Sequence, residues 1–226
     1  MSHIAMSLVK LSFLDKIVCN VQKSLLNQSL SSIKDDGEKI VTDKALPFPT
    51  SESSNLTSQE QAKSIAFMRI NHTGEVCAQG LYDGQAISAH SKNTKQFMKT
   101  AAMEETQHLH WCSERIKQLQ GRESYLNPFW YWASFCIGIA NGILGDKWSF
   151  GFVVATEEGV AKHLQKYIKA LPDKDITSKQ ILQKMLADEI SHRDAAYEKG
   201  SKELPKIVKL AMRLQSKVMT GVTYYI

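Results

Sequence analysis

Proline and glycine are scarce in this chain of 226 residues, at 5 and 12, so few positions break a helix and the sequence reads as largely helical. Cysteine is limited to Cys19, Cys77, Cys112 and Cys136, irregularly spaced and without a C-x-x-C pair. That excludes a disulfide framework, a zinc ribbon or a rubredoxin-type iron site, and it suits a reducing compartment. The only apolar stretch at the N-terminus is short and is broken by Lys10 and by Asp15-Lys16, which argues against a secretory signal. Net charge is a modest +5, and no binding motif or aromatic-basic pattern accompanies it, so nucleic acid is not expected as a partner. A hydrophobic content of 43% is enough for one good core.

What the sequence does contain is Glu-x-x-His twice, as Glu105-Thr-Gln-His108 and Glu189-Ile-Ser-His192. Each copy follows a lone glutamate, Glu75 or Glu157, about one helical hairpin upstream. Residues three apart share a helix face, so each motif can offer a carboxylate oxygen and an imidazole nitrogen to one ion. Chance placement of these residue types gives about 0.4 matches in a chain of this composition, so two copies stand out only through their context. That context is periodicity. Met98, Ala101, Glu105, His108 and Cys112 form one 3-4 stripe, and Leu182, Met185, Glu189, His192 and Ala196 another. Phe150, Val154, Glu157, Ala161, Leu164 and Ile168 repeat the pattern, as do Met68, His72, Glu75, Gln79 and Tyr82 more weakly.

Four carboxylates at core positions cost several kcal/mol or more each unless compensated, and a metal pair is the simplest compensation. Turn signals lie midway between each lone glutamate and its motif, at Ser91-Lys92-Asn93 and at Pro172-Asp173-Lys174-Asp175. Two tandem hairpins therefore bring two half-sites together in an all-α, ferritin-like four-helix bundle. The periodicity predicts helices at about 58–91, 93–120, 127–144, 146–171, 176–199 and 205–224, with a short amphipathic helix at 11–26 and a polar linker or strap up to residue 57. Residues 1–57 are taken as this N-terminal region and 58–226 as the bundle domain.

No charged residue occurs between Ser124 and Gly145. The run is long enough to raise a transmembrane helix, but a span there would separate the half-sites, so an interfacial helix is expected, with Trp130, Tyr131, Trp132 and Trp148 at headgroup level. Lys202, Lys206, Lys209, Arg213 and Lys217 follow helical spacing and suit anionic lipid. A buried core helix and a solvated basic face are the plainer readings of these two features. Glu104, Glu158 and Asp188 lie about 100° off the core stripes and should face solvent or polar partners. His72 and His163 are expected to be ordinary polar residues near the site, His110 to point elsewhere, and Tyr82 to be a core tyrosine within reach of it.

Met68-Arg-Ile-Asn-His-Thr-Gly-Glu75, Tyr82 with Gly84-Gln85, Glu105-Thr-Gln-His108, Gly142-Ile-Leu-Gly145, Val154-Ala-Thr-Glu157-Glu158 with His163, and Asp188-Glu189-Ile-Ser-His192 together resemble the demethoxyubiquinone hydroxylase family of ubiquinone biosynthesis. The resemblance covers residues 58–226 and implies Glu75, Glu105, His108, Glu157, Glu189 and His192 as ligands of two iron ions (Fe2+/Fe3+), with Glu105 and Glu189 as bridges. It further implies a flavin-free monooxygenase that uses O2 to hydroxylate the ring of a 2-polyprenyl-3-methyl-6-methoxy-1,4-benzoquinone or quinol. Implied too are a peripheral position on the cytoplasmic membrane face, or the matrix face if mitochondrial, and a biosynthetic complex. The electron donor (NADH, a reductase or the quinol), tail length and homo-oligomeric state stay open. A ferritin-type iron-binding bundle, a di-iron hydroxylase for another substrate and a non-enzymatic membrane-associated protein are the rival readings.

Overall fold

Local chemistry sets the helix ends. In the computed structural model, which describes residues 56–226, α1 (Ser58–Ser88) starts at a capping box. Glu60 N–H donates to Thr57 Oγ1 at 3.3 Å while Thr57 N–H donates to Glu60 Oε2 at 2.8 Å. Helix α2 (Lys92–Gln118) is capped by the Ser91 hydroxyl, and α3 (Asn127–Ile143) has proline in its first turn, where no helical N–H is lost. Gly145, at φ 107°, takes the left-handed conformation between α3 and α4 (Asp146–Ala170). Asp175 caps α5 (Ile176–Glu198), and Pro205 precedes α6 (Lys206–Thr223). All predicted helices within the described residues are present, each within a few residues of its expected bounds. The expected helix at 11–26 and the linker to residue 57 lie almost wholly outside the described residues.

The hairpins α1–α2 and α4–α5 turn at residues 89–91 and 171–175, where the turn signals put them. Two polar ties set the hairpins against each other. Asp146, at the start of α4, accepts the backbone N–H groups of His90 and Ser91 at 2.9 and 3.1 Å. At the other end, Arg115 of α2 donates to Asp175 Oδ1 at 2.7 Å and to Ser178 Oγ at 2.9 Å. The α1–α2 turn thus meets the start of α4, and the end of α2 meets the α4–α5 turn, so both glutamate–motif pairs come to one level.

Helix α3 does not join the four-helix core; it lies along α1 in the same chain direction. Two glycine pairs make the approach close. A Cβ at Gly84 would stand 2.2 Å from the Phe135 carbonyl oxygen, and one at Gly138 would stand 2.2 Å from the Leu81 oxygen. Gly80 and Gly142 are equally tight, against Tyr131 and Ser88. Trp130 and Tyr131 are consequently buried, and Tyr131 donates to Asp83 Oδ2 at 2.8 Å. This corrects the expectation that both reach a headgroup region. Trp148 is half-buried and bonded to Asn141, which leaves Trp132 as the exposed one of the four. No helix among the described residues is long and apolar enough to cross a membrane.

Candidate metal centre

Apolar residues fill the bundle at two levels. One cluster includes Met68, Cys112, Ile116, Leu164, Leu182 and Met185; the other includes Tyr82, Met98, Ala101, Phe150, Val153 and Ala196. Along every core helix the expected site residues fall between these levels: Glu75 on α1, Glu105 and His108 on α2, Glu157 on α4, Glu189 and His192 on α5. The four glutamates are each no more than 3% exposed. Helical periodicity thus becomes a polar layer enclosed above and below by hydrocarbon.

Within the layer, ligating atoms of Glu75, Glu105, His108 and Glu189 all lie within 4.8 Å of one another. His108 Nδ1 is 3.1 Å from Glu105 Oε2 and 3.2 Å from Glu189 Oε1. His192 Nδ1 is 3.4 Å from Glu105 Oε1 and 3.5 Å from Glu189 Oε2. Glu105 and Glu189 therefore each lie between both imidazoles, and both rings turn Nδ1 inward. Glu157 completes the set from α4, interacting with Glu189 and accepting a hydrogen bond from the Tyr82 hydroxyl. The structure brings all six residues together.

The electrostatics are those of charges kept from water. Burial, reinforced by the charges of Glu105 and Glu189, pushes Glu75 well above the carboxylate range; burial with Glu189 and Glu105 does the same to Glu157. Burial also acts to raise Glu105 and Glu189, but the nearby imidazoles of His108 and His192 outweigh it and hold both low. The imidazoles answer in kind. Burial opposes their protonation, yet hydrogen bonds to carboxylates raise His108 well above its ordinary value and push His192 up to about 12. Several atoms remain unmet. Glu105 Oε1, both Glu189 oxygens and His192 Nδ1 are buried without a hydrogen-bond partner, although each lies near its neighbours. Buried oxygens and imidazole nitrogens converging in this way are a donor set that a cation could satisfy, and a hard one suited to iron more than to a soft thiophilic metal.

Two carboxylates that sequence reasoning put off the core stripes have a defined place. Asp188 Oδ2 is 3.2 Å from His108 Nε2, and Glu104 Oε2 is 2.9 Å from His192 Nε2. Each belongs to the helix opposite its histidine. The signal was present as an acid immediately before each Glu-x-x-His, Glu104-Glu105 and Asp188-Glu189, but its partner lies on another helix. His72 is buried beside Glu123 and Asn127 instead of the cluster, His163 packs near Tyr167, and His110 is partly buried on another face of α2.

Two cavities approach the layer. One, of about 560 Å³, runs from α6 between α3 and α4 to Glu75, with Leu81, Ile137, Phe152 and Leu214 in its wall. The second, of about 370 Å³, lies between α2 and α5 over His108 and His192.

Four glutamates and two histidines at one level of a helical bundle define a ferritin-like protein with a carboxylate–histidine centre. The chain belongs to the COQ7 family, described as ubiquinone biosynthesis protein COQ7, whose pattern matches residues 62–223. It is similar to the 3-demethoxyubiquinol 3-hydroxylase of Francisella tularensis subsp. novicida, 45% identical over 221 residues that cover 95% of this chain and 98% of the relative. The enzyme of the same name from Chromobacterium violaceum is 42% identical over 211 residues, covering 93% and 98%. A match over 95% of the chain also takes in much of the first 57 residues, where no motif was recognisable.

Proposed function

We propose that this protein is a di-iron monooxygenase that hydroxylates the ring of 2-polyprenyl-3-methyl-6-methoxy-1,4-benzoquinol in ubiquinone biosynthesis. In this reading Glu75, Glu105, His108, Glu157, Glu189 and His192 would hold two iron ions, with Glu105 and Glu189 placed between the two imidazoles. The observation that carries it is that each of these two glutamates lies within 3.5 Å of both imidazoles. When bound, the irons supply two electrons to O2. The names of the relatives support the substrate, and membership of the family weighs against iron storage.

The rest of the chemistry falls to the chain. The cavity beside Glu75 has a volume in the roughly 300–1,000 Å³ range of small-molecule sites, and its largely apolar wall suits a quinol ring entering with its tail behind. Apolar clusters above and below the layer exclude bulk water, which strengthens every charge interaction inside. Tyr82 holds Glu157 in place from α1.

The exposed surface supports a peripheral membrane position. Ile207, Leu210, Leu214 and Val218 form an exposed stripe on α6, each 51–76% exposed, and Lys206, Lys209, Arg213 and Lys217 each stand one position before them. Phe129, Trp132 and Ile143 add exposed apolar surface on α3. Residues 58–226 form the hydroxylase domain, with 1–57 as its N-terminal extension. Docking to other enzymes of the pathway at the membrane, and self-association there, suit the same surface; the electron donor is NADH, a reductase or the quinol.

The test is metal analysis together with complementation. The protein should carry about two irons per chain and restore ubiquinone in a strain that accumulates the demethoxy precursor, and Glu189→Ala or His192→Ala should lose both. A full iron complement in both variants, or unchanged precursor in the complemented strain, rejects the reading.

A further inference from the structure

Hydrocarbon and a hydrated dication cannot share one entrance. The cavity that reaches Glu75 combines an apolar wall with Lys162, Lys209, Arg213 and Lys217, side chains that repel a divalent ion, against one flanking acid, Glu158. The groove between α2 and α5 is different in kind. Its walls place Glu104 and Gln107 on one helix against Asp188 and Ser191 on the other. Among its lining residues is Trp111, 6% exposed, whose indole N–H is buried and finds no hydrogen-bond partner, an unmet donor suited to water.

The groove also meets the six-residue layer at its most open edge. His192 has a side chain 15% exposed, whereas Glu105 and Glu189 are at 1%. Both imidazoles act as the partition: Nδ1 faces Glu105 and Glu189, and Nε2 faces Asp188 or Glu104 in the groove. A cation arriving from solvent meets those two carboxylates first and the layer one ring further in. Lys184 lines this approach, its ammonium paired with Asp188 and its side chain 47% exposed.

We infer that the polar groove between α2 and α5 is the route by which divalent metal ions load into the glutamate–histidine layer, separate from the apolar cavity, with Glu104 and Asp188 as relay carboxylates and Lys184 as a cationic lid. The inference rests on the reading of the layer as a metal centre. It gives the acids flanking each Glu-x-x-His a role in ion entry as well as in holding the rings.

The experiment follows Co2+ binding to metal-free full-length protein by stopped-flow visible absorbance. Ser191→Cys, modified with a neutral benzyl thiosulfonate, should load at least about tenfold more slowly, yet reach the same two-ion end point and spectrum. Wild type treated identically, where Cys77 lines the apolar cavity, should load at its untreated rate. Lys184→Met should load about threefold faster, because the charge at the entrance is removed. Unaltered loading in the blocked Ser191→Cys protein, slowing in treated wild type, or no acceleration in Lys184→Met overturns the route. Wild type that binds no Co2+ stoichiometrically overturns the metal centre and the route together, so the two failures are told apart.

Discussion

Asp188 holds His108 from across the bundle, its Oδ2 3.2 Å from the ring Nε2, and the relationship is repeated by Glu104 and His192 at 2.9 Å. Each helix that carries a Glu-x-x-His thus supplies the acid that fixes the ring of the other. The carboxylates set which nitrogen faces inward and keep the imidazoles electron-rich. Asp188→Asn and Glu104→Gln should therefore keep the fold but weaken metal binding about 10–100-fold each. Competition titration with a chelator, alongside circular dichroism, measures both; wild-type affinity in either variant removes the orienting role.

The close approach of α3 to α1 gives a sharp contrast between glycines. Gly84→Ala would place a methyl group 2.2 Å from a backbone oxygen, which only separation of the helices can relieve. The expected loss is about 1–3 kcal/mol or more in urea unfolding. Gly159→Ala in α4 meets nothing within 4 Å and should be neutral or stabilise by up to about 1 kcal/mol. Equal stabilities for the two variants would show that the glycines do not set the packing.

Arg115 and Asp175 are both buried at the far end of the bundle, 2% and 1% exposed. Burial acts to raise the Asp175 carboxyl, but the neighbouring Ser64 hydroxyl, the Arg115 charge and the Ser178 N–H that donates to it hold it below its ordinary value. A depressed carboxyl stabilises the fold at pH above its unfolded value, about 3.9, and that contribution disappears as pH falls through the folded value. Arg115→Met leaves the acid unpaired and should cost about 3–5 kcal/mol at pH 7. The gap from wild type should narrow below about pH 4. Urea unfolding from pH 3 to 7 tests this, and a gap independent of pH contradicts it.

Leu210 and Leu214 are each 63% exposed on the same face of α6. Replacing both with Glu removes apolar surface and adds charge that anionic lipid repels, so vesicle sedimentation should fall at least tenfold, by about 1.4 kcal/mol or more. Sedimentation with phosphatidylglycerol vesicles at two salt concentrations reads it out. Undiminished binding would move the membrane contact away from α6.

Helix bounds, both turns and the choice of the six inward residues were legible because they are one-dimensional facts. A period of 3.6 separates core from surface, and the polar residues on the core stripes could be read directly from Met98–Cys112 and Leu182–Ala196. The cross-helix partners of His108 and His192 were not legible, since an acid at position 104 or 188 is indistinguishable from a solvated one until the opposite helix is placed. Gly80 and Gly84 likewise acquired meaning only against Gly138 and Gly142.

The sequence by itself determined that four helices turn six ionisable side chains inward at matched heights, because periodicity and turn position act along the chain. Tertiary structure alone decided which groups meet. It buried Trp130 and Tyr131 against α1, left the α6 stripe open and gave the centre one apolar and one polar approach. Burial and access depend on how helices far apart in sequence pack, and no local pattern encodes that.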